Sequence, residues 1–523
     1  MSQVRPPRSL RKALLAAVLG VAVTAAWAPA LTGGFVWDDK TDLVLSDRLR
    51  HSSSFVDVFR HQSMWAAGAP EGSVATYRPV ALASLALDYQ LWGLYPFGFH
   101  ATSLVLHVLA TLAVFLALGK LVGDDRVAAA LALLGALHPA NAEAVAWING
   151  RSEVLALLFG ALALAAAASR RWLALAAALF VAMLSKETGA IFVPLAALVG
   201  CIDASGRRVR VTWQPPVAAA VALLAYGALR SAALGPNVVP AGSLVTALQA
   251  LPALWMRAVQ EALLPFERGL VTVSDWLARV STAESLGYAG ATLALLAIGV
   301  ALVVRRQLFA ALGLAWWLGA LVPLTAIVIL DYPWPGLARW LYIGLPGLLL
   351  FVWLAAVRHL PPRARTVLFV VVGIAWLVLA ERAIPVWHDD TALYSAMIED
   401  SPDDAWAWRA LGRDQLAQGN FAKAAELFHG AIERDHTEEI HQTYGLEALA
   451  WTHLGRCDEA VAQYRDHPPT HAVEPDRFVD AAATCYARAG DLGRARQLWT
   501  ICARARRSCA ESLAKLDKLD GGR

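Results

Sequence analysis

The chain has 523 residues, of which 58% are hydrophobic and 17% charged, with a net charge of +3. Ordinary soluble domains carry roughly 25% charged residues, so this composition excludes a soluble fold for most of the chain and points to a bilayer. Lys and Arg lie scattered between apolar runs, not in one stripe, which excludes nucleic acid as a partner.

Arg5, Arg8, Arg11 and Lys12 precede the first apolar run, at roughly 11–31. Runs of about 20 residues span the hydrocarbon as helices. Ten more follow, at roughly 98–119, 126–142, 152–168, 172–186, 188–203, 214–234, 284–304, 307–329, 339–357 and 365–386. The expected architecture is therefore all-α, a transmembrane helical bundle of about eleven spans filling residues 1–386. Further basic groups mark alternate connections: Lys120 and Arg126; Arg170 and Arg171; Arg207, Arg208 and Arg210; Arg305 and Arg306; Arg358, Arg363 and Arg365. The positive-inside rule makes these segments and the N-terminus cytoplasmic, and an odd number of crossings then puts the C-terminus outside. Residues 235–283 are expected to stay on the outer face, with an interfacial helix over Leu248 to Phe266 that carries Arg257 and Glu261 at helical spacing. Ala28-Pro29-Ala30 also resembles a signal-peptide cleavage site, but the apolar stretch before it is long for a leader.

The loop at 33–98 is long for a connection between spans and holds Asp38, Asp39, Asp42, Asp47, Arg78 and Asp88 among many aromatics. Long loops with local structure usually carry function. The neighbouring carboxylates Asp38 and Asp39 are costly at a membrane surface unless water or chemistry requires them. More polar residues recur on the same expected face: His100 and His107, the stretch His138 to Glu143 and on to Arg151, Lys186-Glu187, and Asp331 to Arg339 with Tyr342. One charge at the bilayer centre costs roughly 2.5–3.5 kcal/mol on insertion scales. Singly each has an ordinary reading, and for His107 a hydrogen-bonded packing role is preferred. As a group they point to a shared anionic ligand.

Residues 387–523 are charged and periodic instead of apolar. From Asp404 a pattern recurs about every 35 residues, with Gly419, Gly455 and Gly490 at the turns, which signals stacked helical hairpins. Trp408, Leu411, Gly412, Gly419, Ala424, Phe428 and Ala431 occupy the positions that a tetratricopeptide repeat gives to these residue types. The second copy supplies Tyr444, Trp451, Ala460 and Tyr464, the third Tyr486, Ala495 and Trp499, and Leu513, Leu516 and Leu519 fit a capping helix. The expected domain is an α-solenoid of about three hairpins, serving either substrate recruitment or assembly. Cys457, Cys485, Cys502 and Cys509 all fall in it. In an oxidising compartment they have three possible pairings, and the alternative is four small core thiols.

A chemistry consistent with this pattern is glycosyl transfer from a lipid-linked donor. An acceptor hydroxyl loses a proton as it attacks the sugar, which needs a carboxylate base at the water boundary. Cations must stabilise the charge growing on the departing phosphate. Asp38 or Asp39 suits the first role, and Arg78, His100, His138, Arg151, Lys186 and Arg339 are candidates for the second. Two adjacent carboxylates also suit Mg²⁺ or Mn²⁺.

Phe35-Val36-Trp37-Asp38-Asp39, Tyr77-Arg78-Pro79, Leu87-Asp88-Tyr89 with Trp92-Gly93, and Pro96 through His100 are joined later by Leu137-His138-Pro139, Glu143 to Trp147, Gly150-Arg151, Lys186-Glu187 and Arg339 with Leu341-Tyr342. In this order they resemble the bacterial relatives of the transmembrane and tetratricopeptide-repeat-containing O-mannosyltransferases. The last motif departs from the family pattern, with Ala338 before Arg339, Trp340 after it, and Gly344 where proline is usual. The resemblance implies a GT-C fold with Asp38 and Asp39 as the acidic motif. It implies that Arg78, His100, His138, Glu143, Arg151, Lys186 and Glu187 occupy its recurrent polar positions. It further implies a polyprenyl-phosphate sugar as co-substrate, no metal or other cofactor, a hydroxyl-bearing acceptor that the repeats could bind as a peptide, and a place in the bacterial cytoplasmic membrane with the repeats outside. Two other readings use the same features: a non-enzymatic membrane-anchored scaffold for envelope assembly, and a sugar-lipid transporter. A scaffold needs one span, not eleven, and alternating access wants polar sites near the midplane.

Overall fold

The computed structural model describes residues 7–45, 47–51, 54–68, 76–235, 244–265, 270, 276–277, 279–324, 338–437, 439–468 and 475–520. Among these residues the chain is helical, and the sole β-bridge is isolated, between Ile202 and Val209. The chain divides into two compact units, Met1–Asp389 and Asp390–Arg523. The division falls slightly beyond the expected 386/387 boundary for a physical reason. Trp387 is buried and stacks on Trp147 of the bundle, and the His388 carbonyl accepts a hydrogen bond from Gly34 N at 2.8 Å.

The bundle is built from α1 (Arg8–Trp27), α2 (Pro79–Trp92), α3 (Pro96–Val122), α4 (Asp125–Leu137), α5 (Asn141–Ala146), α6 (Arg151–Ala168), α7 (Trp172–Ser185), α8 (Phe192–Cys201), α9 (Gln214–Leu234), α10 (Leu244–Leu263), α11 (Thr282–Val304), α12 (Leu308–Leu321), α13 (Ala338–Ala355) and α14 (Pro362–Ala383). Each of the eleven apolar runs holds a helix. Among the described residues seven helices are long and apolar enough to cross a membrane: Ser9–Thr32, Pro96–Val122, Ile148–Ala168, Gln214–Leu234, Thr282–Val304, Ala338–His359 and Pro362–Trp387. The protein is thus a multi-pass membrane protein. Trp172–Ser185, Glu187–Cys201 and Leu308–Leu321 are shorter apolar helices; fourteen helical residues reach about 21 Å against a hydrocarbon core of about 30 Å.

One expected span is cut short and one expected break is found, each at a residue with a task. The run at 126–142 stops at Leu137, because the residue before Pro139 is forced out of the helical region and His138 is extended, at φ −65° and ψ 132°. The run from 172 to 203 breaks at Lys186, also extended, at φ −161° and ψ 148°. The expected interfacial helix is α10, where Arg257 Nε meets Glu261 Oε1 at 2.8 Å; Phe266 lies outside the described residues, as do Arg5 and residues 325–337. Leu254, Ala258 and Ala262 of α10 bury against Leu314, Trp317 and Leu321 of α12 and Leu341 and Leu345 of α13.

In the second unit the hairpins follow the sequence pattern. Ala405–Ala417 pairs with Phe421–Arg434, Ile440–His453 with Cys457–Asp466, and Pro475–Arg488 with Leu492–Cys502; Arg507–Asp520 caps the array. Gly419, Gly455 and Gly490 have φ of +83°, +79° and +87°, a left-handed turn that favours glycine. A Cβ on Gly412 would meet the Phe428 ring at 2.6 Å, so glycine is what lets the first pair close. The cysteines pair as Cys457–Cys485 and Cys502–Cys509, within one buried cluster with Tyr486, Trp499 and Leu516.

Candidate active site

The acidic segment follows the first span directly. After α1 and a 3₁₀ turn at Ala28–Thr32, Gly33 and Gly34 run extended, and His100 Nε2 sits 3.2 Å from the Gly34 carbonyl. Trp37 then takes φ of 55°, a strained conformation for so large a residue, held because its ring stacks on Trp147 at 5.5 Å. The reversal starts a tight turn that continues as a π-helical turn over Lys40–Val44, the kind of irregular helix that favours functional sites.

This turn splits the acidic pair. Asp39 is fully buried, and its two oxygens accept backbone hydrogen bonds from Val36 at 3.1 Å and Asn149 at 2.9 Å. Asp38 points the other way, into a cleft of about 660 Å³ including its mouth, where it meets Asp42, Arg78, Glu153, Lys186 and Arg339. Among the described residues no hydrogen bond reaches the Asp38 carboxylate. Burial raises its pKa, opposed by the charges of Arg339 and Arg78.

Four cations line the cleft, Arg78, Arg151, Lys186 and Arg339, and each is held by a carboxylate from another segment. Arg78, at the start of α2, donates from Nε to Glu187 Oε2 at 2.9 Å, while Glu187 Oε1 accepts from Tyr77 N at 2.6 Å. Arg339, at the start of α13, donates from N and Nε to Glu143 at 3.0 and 2.5 Å, and its guanidinium lies 4.7 Å from the Trp147 ring centroid. Lys186, in the break between α7 and α8, pairs with Glu153 of α6. Buried cations are costly unless paired, and these pairs also fix where each positive charge points. Gly150 makes the opposite wall possible. A Cβ there would lie 2.3 Å from the Glu143 carbonyl, so only glycine lets the Trp147–Gly150 turn pack onto α5.

Not every expected residue reaches this cleft with a free group. Arg151 is fully buried and committed to Asp88 Oδ2 at 2.5 Å, the Phe99 carbonyl at 2.7 Å and Ser103 Oγ at 3.2 Å, so it pins α2 and α3 to α6. His100 braces the Gly33–Gly34 segment, and His138 bridges the Ala140 N–H and the Ala262 carbonyl. Arg151 thus borders the cleft with its donors spent on the protein, and His100 and His138 are absent from the cleft lining. His107 has the packing role expected, with Nδ1 2.8 Å from the Tyr342 hydroxyl and Nε2 3.3 Å from the Ala136 carbonyl. Sequence reasoning assigned no role to Asp42, Asn149 or Glu153. Asp42 and Asp38 lie four apart, a spacing that puts both on one face of a turn, and this signal was available. Among the described residues the only convergent three-ligand set is Asp480 with Cys502 and Cys509, whose thiols are in a disulfide.

The chain resembles the transmembrane O-mannosyltransferases. It is 37% identical over 161 residues to mouse protein O-mannosyl-transferase TMTC1, covering 30% of this chain and 17% of that one. It is 32% identical over 179 residues to protein O-mannosyl-transferase F38B6.6 of Caenorhabditis elegans, covering 33% and 25%. It is 31% identical over 142 residues to human protein O-mannosyl-transferase TMTC3, covering 27% and 15%. The matched segment spans a quarter or less of these relatives' own length. No family model and no solved structure matches the chain.

Proposed function

We propose that this chain is an inverting GT-C glycosyltransferase that moves a sugar from a polyprenyl phosphate to a hydroxyl on a protein, glycan or lipid at the outer face of the bacterial cytoplasmic membrane. The observation that carries this reading is an unbonded carboxylate, Asp38, sharing a cleft with Arg78, Lys186 and Arg339. As the acceptor oxygen bonds to the anomeric carbon, Asp38 takes its proton. The carbon–oxygen bond to phosphate breaks on the opposite face, and its electron pair stays on the phosphate. The three cations offset that charge, and their fixed carboxylate partners keep them oriented before the reaction begins. Asp39 acts from below by holding the turn that aims Asp38. No metal or other cofactor is assigned a step. Residues 1–386 carry the transfer, and the hairpins of 387–523 present the acceptor, with a peptide in their groove as the simplest form.

Topology is part of the proposal. The basic connections favour a cytoplasmic N-terminus, and two disulfides in the hairpin unit favour an oxidising compartment for it. Purified full-length protein in lipid, given a panel of polyprenyl-phosphate sugars and hydroxyl acceptors, is expected to release bare polyprenyl phosphate with one of them, and to do so in EDTA. Release from none overturns the reading.

A further inference from the structure

Asp42 lines the same cleft, yet the transfer described above gives it nothing to do. Its Oδ2 accepts a hydrogen bond from Asn149 Nδ2 at 2.9 Å, and its Oδ1 is buried without a partner. Asn149 thus clamps two acids at once, Asp42 through its side chain and Asp39 through its backbone N–H at 2.9 Å, with Asp38 on the turn that joins them. The charged groups that act on Asp42 are Asp38 and Arg78, with Asp39 interacting with it from beneath the turn, and Arg78 already pairs with Glu187.

An ionised carboxylate in this position leaves one oxygen desolvated beside a second negative charge, which is costly. A proton on Oδ1 removes the charge and turns an acceptor without a donor into a donor. Burial, reinforced by the charge of Asp38, raises the Asp42 carboxyl to about 7. Resting on the transfer reaction proposed above, we infer that Asp42 works as a neutral acid, a catalytic residue that donates a hydrogen bond from Oδ1 to an oxygen of the bound sugar or acceptor while Asp38 stays ionised as the base. The two acids share one surface and divide the labour: one accepts a proton, and the other lends one without giving it up.

Asp42→Asn is the discriminating change, because an amide supplies an oxygen for Asn149 and an N–H for the cleft, as the neutral acid does. Two measurements on the full-length protein in lipid test the inference. In the first, wild-type kcat/KM falls as pH rises through about 7 and that fall is missing from the Asp42→Asn profile, while Asp42→Ala drops by about tenfold or more. In the second, which needs no substrate, an infrared band of a protonated carboxyl titrates near neutral pH in the wild type and is missing in Asp42→Asn. A wild-type rate with no decline near neutral pH, an unchanged decline in Asp42→Asn, or an Asp42→Asn enzyme as inactive as Asp38→Asn overturns the inference. So does the absence of the titrating band, whatever the donor sugar. Failure of every donor to react overturns the transfer reading instead, and the infrared titration still decides the state of Asp42.

Discussion

In the hairpin unit Arg409 is closed between Asp435, at 3.3 Å, and Glu439, and Asp414 is shared by Thr391 at 2.6 Å and Gln418 at 2.8 Å. In the bundle Arg78, Lys186 and Arg339 are paired as tightly, but their pairs open on a cleft that also holds the unbonded Asp38 and the half-bonded Asp42. Buried charge therefore does not by itself mark a site. What separates the two regions is the kind of polar capacity left over once the pairs are made: in the hairpin unit it falls on groups such as the Ser401 and Thr443 hydroxyls, and in the cleft on two acids, Asp38 and Asp42, that share their space with cations.

The sharpest way to break this comparison is to open the one cleft-lining pair whose cation is fully committed to the protein. Arg151→Met leaves Asp88 and the Phe99 carbonyl buried without their donor and is expected to cost about 3–5 kcal/mol, read as loss of folded protein in thermal unfolding. A stable, fully folded variant would mean that Arg151 is not a structural pin and serves the cleft as Arg78, Lys186 and Arg339 do. In the hairpin unit the comparable support is covalent. Replacing Cys457 and Cys485 together by Ala opens a bridge across 28 residues and is expected to remove about 3–4 kcal/mol from the unfolding transition of that unit, leaving the transition of the bundle in place. A single shared shift of both transitions would contradict the division.

Smaller effects sharpen the comparison inside the cleft. Glu143→Gln keeps the shape of the acid but removes the charge that orients Arg339, so kcat/KM is expected to fall by about 10²-fold with the fold retained. The smallest expected change is in the opposite direction. The Asp42 carboxyl lies near 7 in the folded protein, above its unfolded value near 4, so the native state binds more protons between those values and stability is lost as pH rises through that window. Asp42→Asn should therefore be more stable than the wild type above neutral pH, by about 1–3 kcal/mol, and equal to it in acid.

Much of this contrast is legible in the sequence, because charges inside apolar runs are conspicuous. Lys186 and Arg339 stand out in that way, Asp38 as half of an adjacent acidic pair in a polar loop and Arg78 within Tyr77-Arg78-Pro79, and all four reach the cleft. The hairpins are legible for a different reason, a period near 35 residues with glycine at each turn. Pairing is what sequence does not encode locally. Glu143 and Glu187 look like candidate ligands but serve as clamps, Glu153 hides in the first turn of a long apolar helix, and Asp42 is one aspartate of several in a polar loop. Only the left-handed Trp37 and the Asn149 clamp decide that Asp38 faces the cleft while Asp39 lies beneath it. The span at 126–142 fails at His138 because a proline overrides the apolar periodicity, whereas the break at Lys186 is legible in the charged pair Lys186-Glu187.

The central claim is that the two adjacent acids differ in kind, Asp38 reacting and Asp39 supporting. The most direct test compares Asp38→Asn with Asp39→Asn in the polyprenyl-phosphate release assay, with thermal unfolding of the same samples. Asp38→Asn is expected to lose about 10³-fold in rate with its unfolding temperature unchanged, whereas Asp39→Asn, which must fit an amide N–H against the backbone donors of Val36 or Asn149, loses stability as well as rate. A fully active Asp38→Asn enzyme, or one that fails only because it does not fold, would contradict the account.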